Sequence, residues 1–196
     1  MSAPTLGLRE RKKEATRQAL HEAAVRIASE HGLVRLTVEA IADAAVVSRR
    51  TFSNYFPNKE EALLYSDQLR MRRLVEGVSA RPRAESAWAA LSAAAIEVVS
   101  QDWTDPRWVA EVRLLRRQPS LLAQLVRTYA DGERDLAEAV VDRLPAGNDR
   151  DLRARLLAAA LLTGLRIAVQ QWIEDPRTAL SDVLVRVLDV AAEPWS

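Results

Sequence analysis

The sequence predicts an all-α fold. Alanine, leucine and arginine are its most abundant residues, and all three favour helices, whereas glycine and proline number only 6 and 8 in 196 residues. Apolar residues recur at helical spacing between capping residues and prolines, and no segment alternates as a strand would. We therefore expect about nine helices, with a three-helix N-terminal domain followed by a larger bundle.

The first three helices are marked by caps and stop signals. A first helix over 9–31 should end at Gly32, which suits a left-handed C-terminal cap. Thr37 can cap a second helix over 38–45, and Ser48 can cap a third over 49–55 that Pro57 ends. The residues predicted to face inward on the first two helices are Leu20, Ala23, Ala24, Ile27, Ala28, Ile41 and Ala42.

The same signals divide the rest of the chain. Asn58, followed three residues later by Glu61, resembles a capping box that opens a long fourth helix to about residue 79. After a break at 81–83, the caps, prolines and turn residues predict five more helices, near 84–101, 106–117, 119–144, 149–174 and 177–192.

The third helix, in the segment AAVVSRRTFSNYF (44–56), separates rings from cations. Phe52 and Phe56 lie four residues apart and share one helical face, which must be anchored because so short a helix is unstable alone in water. The opposite face then presents Arg50, Thr51 and Asn54. Periodicity alone leaves open an ordinary amphipathic helix with a solvated face.

The residue types on that opposite face suit double-stranded DNA. Arginine can bind guanine through two hydrogen bonds, asparagine can bind adenine, and a threonine methyl can contact a thymine methyl. Hydroxyl and amine side chains nearby are types that contact phosphate oxygens, and helix N-termini attract anions. A short helix, a tight turn and a second short helix are typical of a helix-turn-helix.

The charge distribution is compatible with a polyanionic partner. Residues 1–60 contain ten basic and seven acidic residues, whereas residues 61–196 contain 18 basic and 20 acidic residues. All three lysines, Lys12, Lys13 and Lys59, lie in the first part. A basic N-terminal domain on a slightly acidic body favours nucleic acid binding, although random scatter would explain the imbalance equally well.

The run TVEAIADAAVVSRRTFSNYFPNKEEAL (37–63), preceded by a helix ending in His31-Gly32, resembles the DNA-binding domain of the tetracycline-repressor (TetR) family. The resemblance covers about residues 10–65. It implies a homodimeric regulator without a cofactor, which binds operator DNA through residues 1–57 and is released when a small molecule binds within residues 58–196. A basic arm over 1–13 and a connecting helix over 58–79 complete this division.

The resemblance also implies roles for individual residues. It places base contacts at Arg50, Thr51 and Asn54. It places contacts with the DNA backbone at Thr37, Ser48, Ser53, Tyr55 and Lys59, with Arg49 beside them and with Arg9, Arg11, Lys12 and Lys13 in the basic arm. The chain departs from the family at Val46, where glycine, asparagine or aspartate is usual.

Val46 poses a conformational question. The turn between two steeply crossing helices usually needs a residue with positive φ, and a β-branched side chain is uncomfortable there. Either the turn keeps the family geometry and carries the strain, or it relaxes and tilts the third helix. We expect the first outcome, because Val47, Phe52 and Phe56 anchor both sides of the turn.

The C-terminal part resembles the family in layout, with a weaker similarity to the regulators of mycofactocin genes. Its last two helices should form the dimer interface, through Ala160, Gly164, Ile167, Gln171, Leu180, Leu184 and Val187, unless these stripes face only the chain's own core. A ligand pocket for a largely apolar effector is expected among Trp88, Trp103, Trp108, Val112, Tyr129 and Trp172, although rings in a bundle are commonly plain core.

Other functional classes have little support in the sequence. The chain has no cysteine and only two histidines, and it shows no metal-binding spacing, phosphate loop or nucleophile motif, so we expect neither an enzyme nor a metal protein. An all-α small-molecule carrier without operator binding is the alternative. No segment resembles a signal peptide or a membrane span, and we expect a cytoplasmic protein.

Overall fold

The computed structural model describes residues 7–102 and 121–193. Within these ranges all regular structure is helical, which confirms the all-α prediction. The backbone divides into two compact units, an N-terminal unit that extends to Asp67 and a C-terminal unit that begins at Gln68. The domain boundary after Pro57 stays a prediction, and the helix expected near 106–117 lies outside the described residues.

The N-terminal unit is built from α1 (Leu8–His31), α2 (Val38–Ala44), α3 (Arg49–Tyr55), α4 (Lys59–Leu63) and the start of α5 (Tyr65–Ala80). All of the residues predicted to face inward on α1 and α2 are buried, together with both phenylalanines of the third-helix segment. Burying these apolar side chains is what holds α2 and α3, which are too short to be stable alone.

The predicted caps form. The Thr37 side chain accepts a hydrogen bond from the Ala40 amide at 3.0 Å, and the Ser48 side chain accepts one from the Thr51 amide at 3.0 Å. Asn58 likewise accepts from the Glu61 amide at 2.8 Å. Gly32 follows α1 with φ 74° and ψ 169°, so it has the positive φ that favours glycine but not the left-handed helical conformation predicted for the cap.

The fourth helix is broken where the sequence predicted a continuous helix to about residue 79. It ends at Leu63, and α5 begins at Tyr65. Leu64 between them has φ −90° and ψ 9°, outside the helical range, although its amide still bonds to the Glu60 carbonyl at 2.9 Å. The N-terminal unit therefore ends with a short helix, α4, and the start of α5.

The C-terminal unit contains the rest of α5, α6 (Ala87–Asp102), α7 (Leu122–Val140), a 3₁₀ turn (Val141–Arg143), α8 (Arg150–Glu174) and α9 (Leu180–Ala192). Leucine, valine and alanine from all five helices form one apolar core, joined by Trp172. Small residues permit close helix packing. A Cβ on Gly164 of α8 would lie 3.2 Å from Leu188 of α9, and one on Gly77 of α5 would lie 3.3 Å from the Ala94 Cβ of α6.

Two arginines fasten the connections between these helices. Arg143 donates to the carbonyl oxygens of Pro82 at 2.6 Å and of Arg81 at 2.8 Å, just beyond the end of α5. Arg150 donates to the Val141 carbonyl and to the Asp142 carboxylate.

No helix among the described residues is long and apolar enough to cross a membrane.

Candidate nucleic-acid interface

The turn between α2 and α3 keeps a left-handed residue. Val46 has a φ of 56° and is the only non-glycine residue with positive φ in the described ranges. The Val47 amide bonds to the Ala42 carbonyl at 2.9 Å, and the Val46 amide bonds to the Asp43 carbonyl at 3.1 Å. This is the Schellman pattern that ends a helix at a left-handed residue. The positive φ confirms the predicted backbone conformation of the turn, and the strain energy at Val46 stays a prediction.

Aromatic packing holds α3 in place from beneath. Phe52 is 1% exposed and Phe56 is 3% exposed. Their ring centroids lie 5.9 Å apart, and the Phe56 ring meets the edge of the Tyr65 ring at 5.5 Å. Edge-to-face contacts of this kind add to the stabilisation from burial. The aromatic face therefore anchors the helix as predicted.

The opposite face of α3 is open to solvent. Arg50 and Asn54 are exposed, and Thr51 is half-buried. Within the described part of the chain, Arg50 has no ion pair or hydrogen bond from its side chain. The Thr51 hydroxyl lies 2.8 Å from the Ser48 hydroxyl, which directs its polar atom toward the cap. The three residues predicted to contact bases therefore lie on the helix side turned away from the core.

The flanks of α3 hold side chains that are already engaged. The Arg49 guanidinium pairs with Glu39 of α2 at 2.8 Å, and the Ser53 hydroxyl donates to the Arg49 carbonyl at 3.2 Å. Both contacts are exposed, so DNA phosphates could exchange with them at small cost. Thr37 is also exposed, at the start of α2.

Two of the predicted phosphate contacts have roles inside the unit. The Lys59 ammonium donates to the Leu36 carbonyl at 2.8 Å, which ties α4 to the loop before α2. The Arg17 guanidinium of α1 lies over the Tyr55 ring, with its Cζ atom 5.9 Å from the ring centroid. The same Cζ atom lies 5.7 Å from the centroid of the Tyr65 ring. Tyr55 therefore links α3 to α1, whereas Lys59 links α4 to the loop before α2, whatever else these residues bind.

The predicted basic arm is partly helical. Residues 1–6 lie outside the described residues, but Arg9, Arg11, Lys12 and Lys13 are exposed in the first turns of α1.

Among the described residues, no group of three histidine, aspartate or glutamate side chains could hold a metal ion.

Comparison with known proteins identifies the family to which the chain belongs. The family model for bacterial regulatory proteins of the tetR family matches residues 20–65, which contain α2, α3 and their turn. The model of the MftR C-terminal domain matches residues 85–196, more than half of the chain. The chain belongs to the TetR family.

Relatives of this TetR-family protein are transcriptional regulators from actinobacteria. It is 31% identical over 173 residues to the HTH-type transcriptional regulator TcmR of Streptomyces glaucescens, covering 85% of this chain and 76% of TcmR. It is 25% identical over 185 residues to MftR of Mycobacterium tuberculosis, covering 92% and 91% of the two chains.

Solved structures share the fold. The complex of SmeT with triclosan has a TM-score of 0.61 and 22% identity, over 90% of each chain. SmeT is the repressor of a multidrug efflux pump of Stenotrophomonas maltophilia. FadR of Bacillus subtilis in complex with stearoyl-CoA has a TM-score of 0.57 and 20% identity, over 90% of this chain and 97% of FadR.

The predicted interface residues of this TetR-family protein do not all lie on a surface. Leu180 and Leu184 are 1% and 0% exposed within a single chain, in the core of the C-terminal unit. Gly164 is buried against α9. Within a single chain these three residues face the core, and the dimer interface stays a prediction. Ala160 and Gln171 are exposed, and Ile167 and Val187 are half-buried.

The pocket candidates fall into three groups. Trp172 is buried in the core of the C-terminal unit, and Trp88 is half-buried against the same core. Tyr129 on α7 is 43% exposed. Trp103, Trp108 and Val112 lie outside the described residues, so the pocket stays a prediction.

Sequence reasoning missed Arg17, Glu39 and His21. His21 is buried, with Nδ1 2.9 Å from the Ala62 carbonyl oxygen, and so it joins α1 to the end of α4. The sequence signal that could have indicated its burial was its position on the inner face of α1, one residue after Leu20. Arg17 and Glu39 act through partners on other helices, and no spacing along the chain points to those partners.

Proposed function

We propose that this protein is a ligand-responsive repressor that binds operator DNA as a homodimer in the cytoplasm. The observation that carries the proposal is the two-sided build of α3. Its aromatic side is buried to within a few per cent, while Arg50 and Asn54 extend from the other side into solvent. Holding a seven-residue helix so firmly leaves its outer face available for the major groove.

Base recognition is assigned to Arg50, Thr51 and Asn54. The Arg50 guanidinium has no partner to give up within the described chain, so a guanine O6 and N7 can take its donors without breaking a contact. The Thr51 hydroxyl is held by Ser48, which leaves the threonine methyl for a thymine methyl.

Backbone positioning is assigned to the residues around α3. Arg49 can exchange its exposed pair with Glu39 for a phosphate, and Lys59 retains further ammonium donors beside its bond to Leu36. The remaining members of this set are Thr37, Ser48, Ser53, Tyr55, Lys12 and Lys13. Such contacts fix register and add affinity on any sequence.

In the decisive experiment, the wild-type protein selects its preferred sites from a random duplex library, and variants are then titrated on the selected duplex. Arg50→Ala and Asn54→Ala should each lose about 1–3 kcal/mol and relax the preference at one base pair. Lys59→Ala should weaken all sequences about equally and reduce the salt dependence.

Arg26→Ala is the matched control, since Arg26 is an exposed arginine of α1 on the same unit. It removes one positive charge without touching α3 and should leave sequence preference unchanged. A wild-type protein that selects no sequence would favour the small-molecule carrier instead. Equal losses on the selected and random duplexes for Arg50→Ala would show that this residue does not contact a base.

The effector is proposed to be small and largely apolar. Among the described residues, the hydrophobic core of the C-terminal unit is formed by aliphatic residues with Trp172. A cavity in such an interior would favour apolar ligands. Among the solved structures that share the fold, SmeT is in complex with triclosan, which is largely apolar, and FadR is in complex with stearoyl-CoA, which carries a long apolar acyl chain.

The effector proposal is tested with triclosan and stearoyl-CoA as probes and with their polar fragments, phenol and coenzyme A, as controls. An apolar probe that binds the folded state should raise the melting temperature and release the selected duplex. Release by the polar fragments alone would contradict an apolar site.

A further inference from the structure

The side chain of Val46, in the α2–α3 turn, contributes almost nothing to the packing of the described chain. Val46 is 91% exposed, so it buries almost no apolar surface. The two hydrogen bonds of the turn use backbone amides and carbonyls, and glycine would make both of them. Even so, the backbone holds this β-branched residue at a φ of 56°, a conformation that is strained for residues other than glycine.

Strained residues whose side chains face outward are typical of ligand contacts. Val46 precedes the Ser48 cap by two residues, and its Cα lies within about 11 Å of that of Arg49, the greatest span of three residues. The N-terminal end of a recognition helix is the part that contacts base edges in a helix-turn-helix. Val46 therefore lies within this distance of the end of α3 that is proposed to approach DNA.

We propose that Val46 is a specificity-determining residue whose side chain packs on a thymine methyl group at the edge of the site bound by α3. The thymine methyl is the apolar group that the major groove displays, and it is matched by an apolar side chain that cannot hydrogen-bond. A glycine in this turn would leave that base pair without a contact. This inference rests on the proposed operator binding.

The test combines Val46→Ala with thymine-to-uracil replacement, which removes a single methyl group from the selected duplex. Val46→Ala should weaken binding roughly four- to fifteenfold, as expected for one or two fewer buried methyl groups. At one thymine, the uracil duplex should bind wild type and Val46→Ala about equally. The double-mutant cycle thus assigns the contact to one methyl.

Val34→Ala is the matched control, because Val34 is a 93% exposed valine of the same unit with an ordinary φ. Its affinity for the selected duplex should equal that of wild type. Unchanged affinity of Val46→Ala, or a loss that no thymine-to-uracil replacement removes, would overturn the proposal. A wild-type protein that selects no duplex would instead refute operator binding itself.

Discussion

At the scale of single residues, Val46 shows strain that packing does not offset. The left-handed region costs an L-residue roughly 1–2 kcal/mol, and the Val46 side chain recovers little because it is almost fully exposed. The neighbours decide the conformation. Ala42 and Phe52 are buried on either side of the turn, so relaxing Val46 to a negative φ would pull apolar groups from the core.

Replacing this valine with glycine should therefore stabilise the protein. Val46→Gly removes a strain of roughly 1–2 kcal/mol and incurs the glycine entropy cost of about 0.5–1 kcal/mol, so the net gain should reach up to about 1.5 kcal/mol. Urea unfolding of both proteins measures it. Val34→Gly, at an ordinary φ, should lose stability, and an equal loss in both variants would contradict the strain.

Residue-scale predictions from sequence succeed where the partner is local. Thr37, Ser48 and Asn58 each accept from an amide three residues later, and this spacing is visible in the chain. The partners of Lys59 and Arg17 are 23 and 38 or more residues away, and only the fold brings them together. Their positioning roles could not be predicted.

At the scale of helices, the break at Leu64 has a packing cause. Ala62, Leu63, Leu64 and Tyr65 are all buried, although four consecutive residues of a straight helix would point in nearly all directions around its axis. Breaking the helix lets each side chain enter the core. The chain has neither glycine nor proline there, and the uninterrupted apolar run was the only signal of the break.

The connection from α5 to α6 depends on Arg143. Its guanidinium donates to four backbone carbonyl oxygens, those of Val78, Arg81, Pro82 and Glu85. Charged donors near the C-terminal end of a helix also complement its dipole. Arg143 therefore joins the end of α7 to the end of α5.

Removing this guanidinium should destabilise the C-terminal unit. Arg143→Met keeps the length of the stem but loses the donors, and it should cost about 1.5–3 kcal/mol, the range for hydrogen bonds from charged groups. Arg143→Lys should recover part of the loss. Arg153→Met, at an exposed arginine of α8, should change the free energy of unfolding by less than about 0.5 kcal/mol. Similar losses for both Met variants would contradict the capping role.

The same connection should respond to acid. A hydrogen bond from Arg81, at 2.8 Å, holds the pKa of the Glu85 carboxyl below its ordinary value of 4.5. Because the folded-state pKa is the lower one, the pair stabilises the fold above about pH 4.5 and loses this effect as the pH falls through the folded-state pKa.

Unfolding of Glu85→Gln across pH 3–7 measures this contribution. The variant should be less stable than wild type at pH 7, and the difference should shrink below about pH 4.5. Glu138→Gln, at an exposed glutamate of α7, is the matched control and should change the free energy of unfolding at pH 7 by less than about 0.5 kcal/mol. A difference that is constant over the whole range would exclude the ion pair as its source.

Helix α8 shows what an apolar pattern cannot determine. Its sequence supplies two apolar faces, one with Ala158 and Leu161 in the core and one with Leu152 and Leu156, which are 55% and 60% exposed. A single sequence does not tell which face meets the chain's own core. The prediction placed Gly164 at a partner, whereas the structure uses it to bring α9 close.

At the scale of the whole molecule, assembly decides how strongly DNA is bound. A recognition helix of seven residues covers only a half-site, and two half-sites one helical turn apart lie about 34–36 Å from centre to centre. Joining two N-terminal units in one dimer makes the second binding event intramolecular, which raises overall affinity by roughly 10²–10⁴-fold. Operator binding should thus depend on residues of α8 that never touch DNA.

The exposed apolar face of α8 is where the predicted dimer interface can be tested. Leu156→Glu and Ala160→Glu put a carboxylate on a surface that a partner would bury, where an unpaired charge is costly. Both variants should keep the helical content of wild type, sediment as monomers and bind the selected duplex at least about 10²-fold more weakly.

Leu184→Glu is unsuitable, because Leu184 is fully buried in its own chain and a charge there would unfold the C-terminal unit. Ala89→Glu, at an exposed alanine of α6, should remain dimeric and bind as wild type does. A Leu156→Glu protein that sediments as a dimer and keeps full affinity would place the interface on another face.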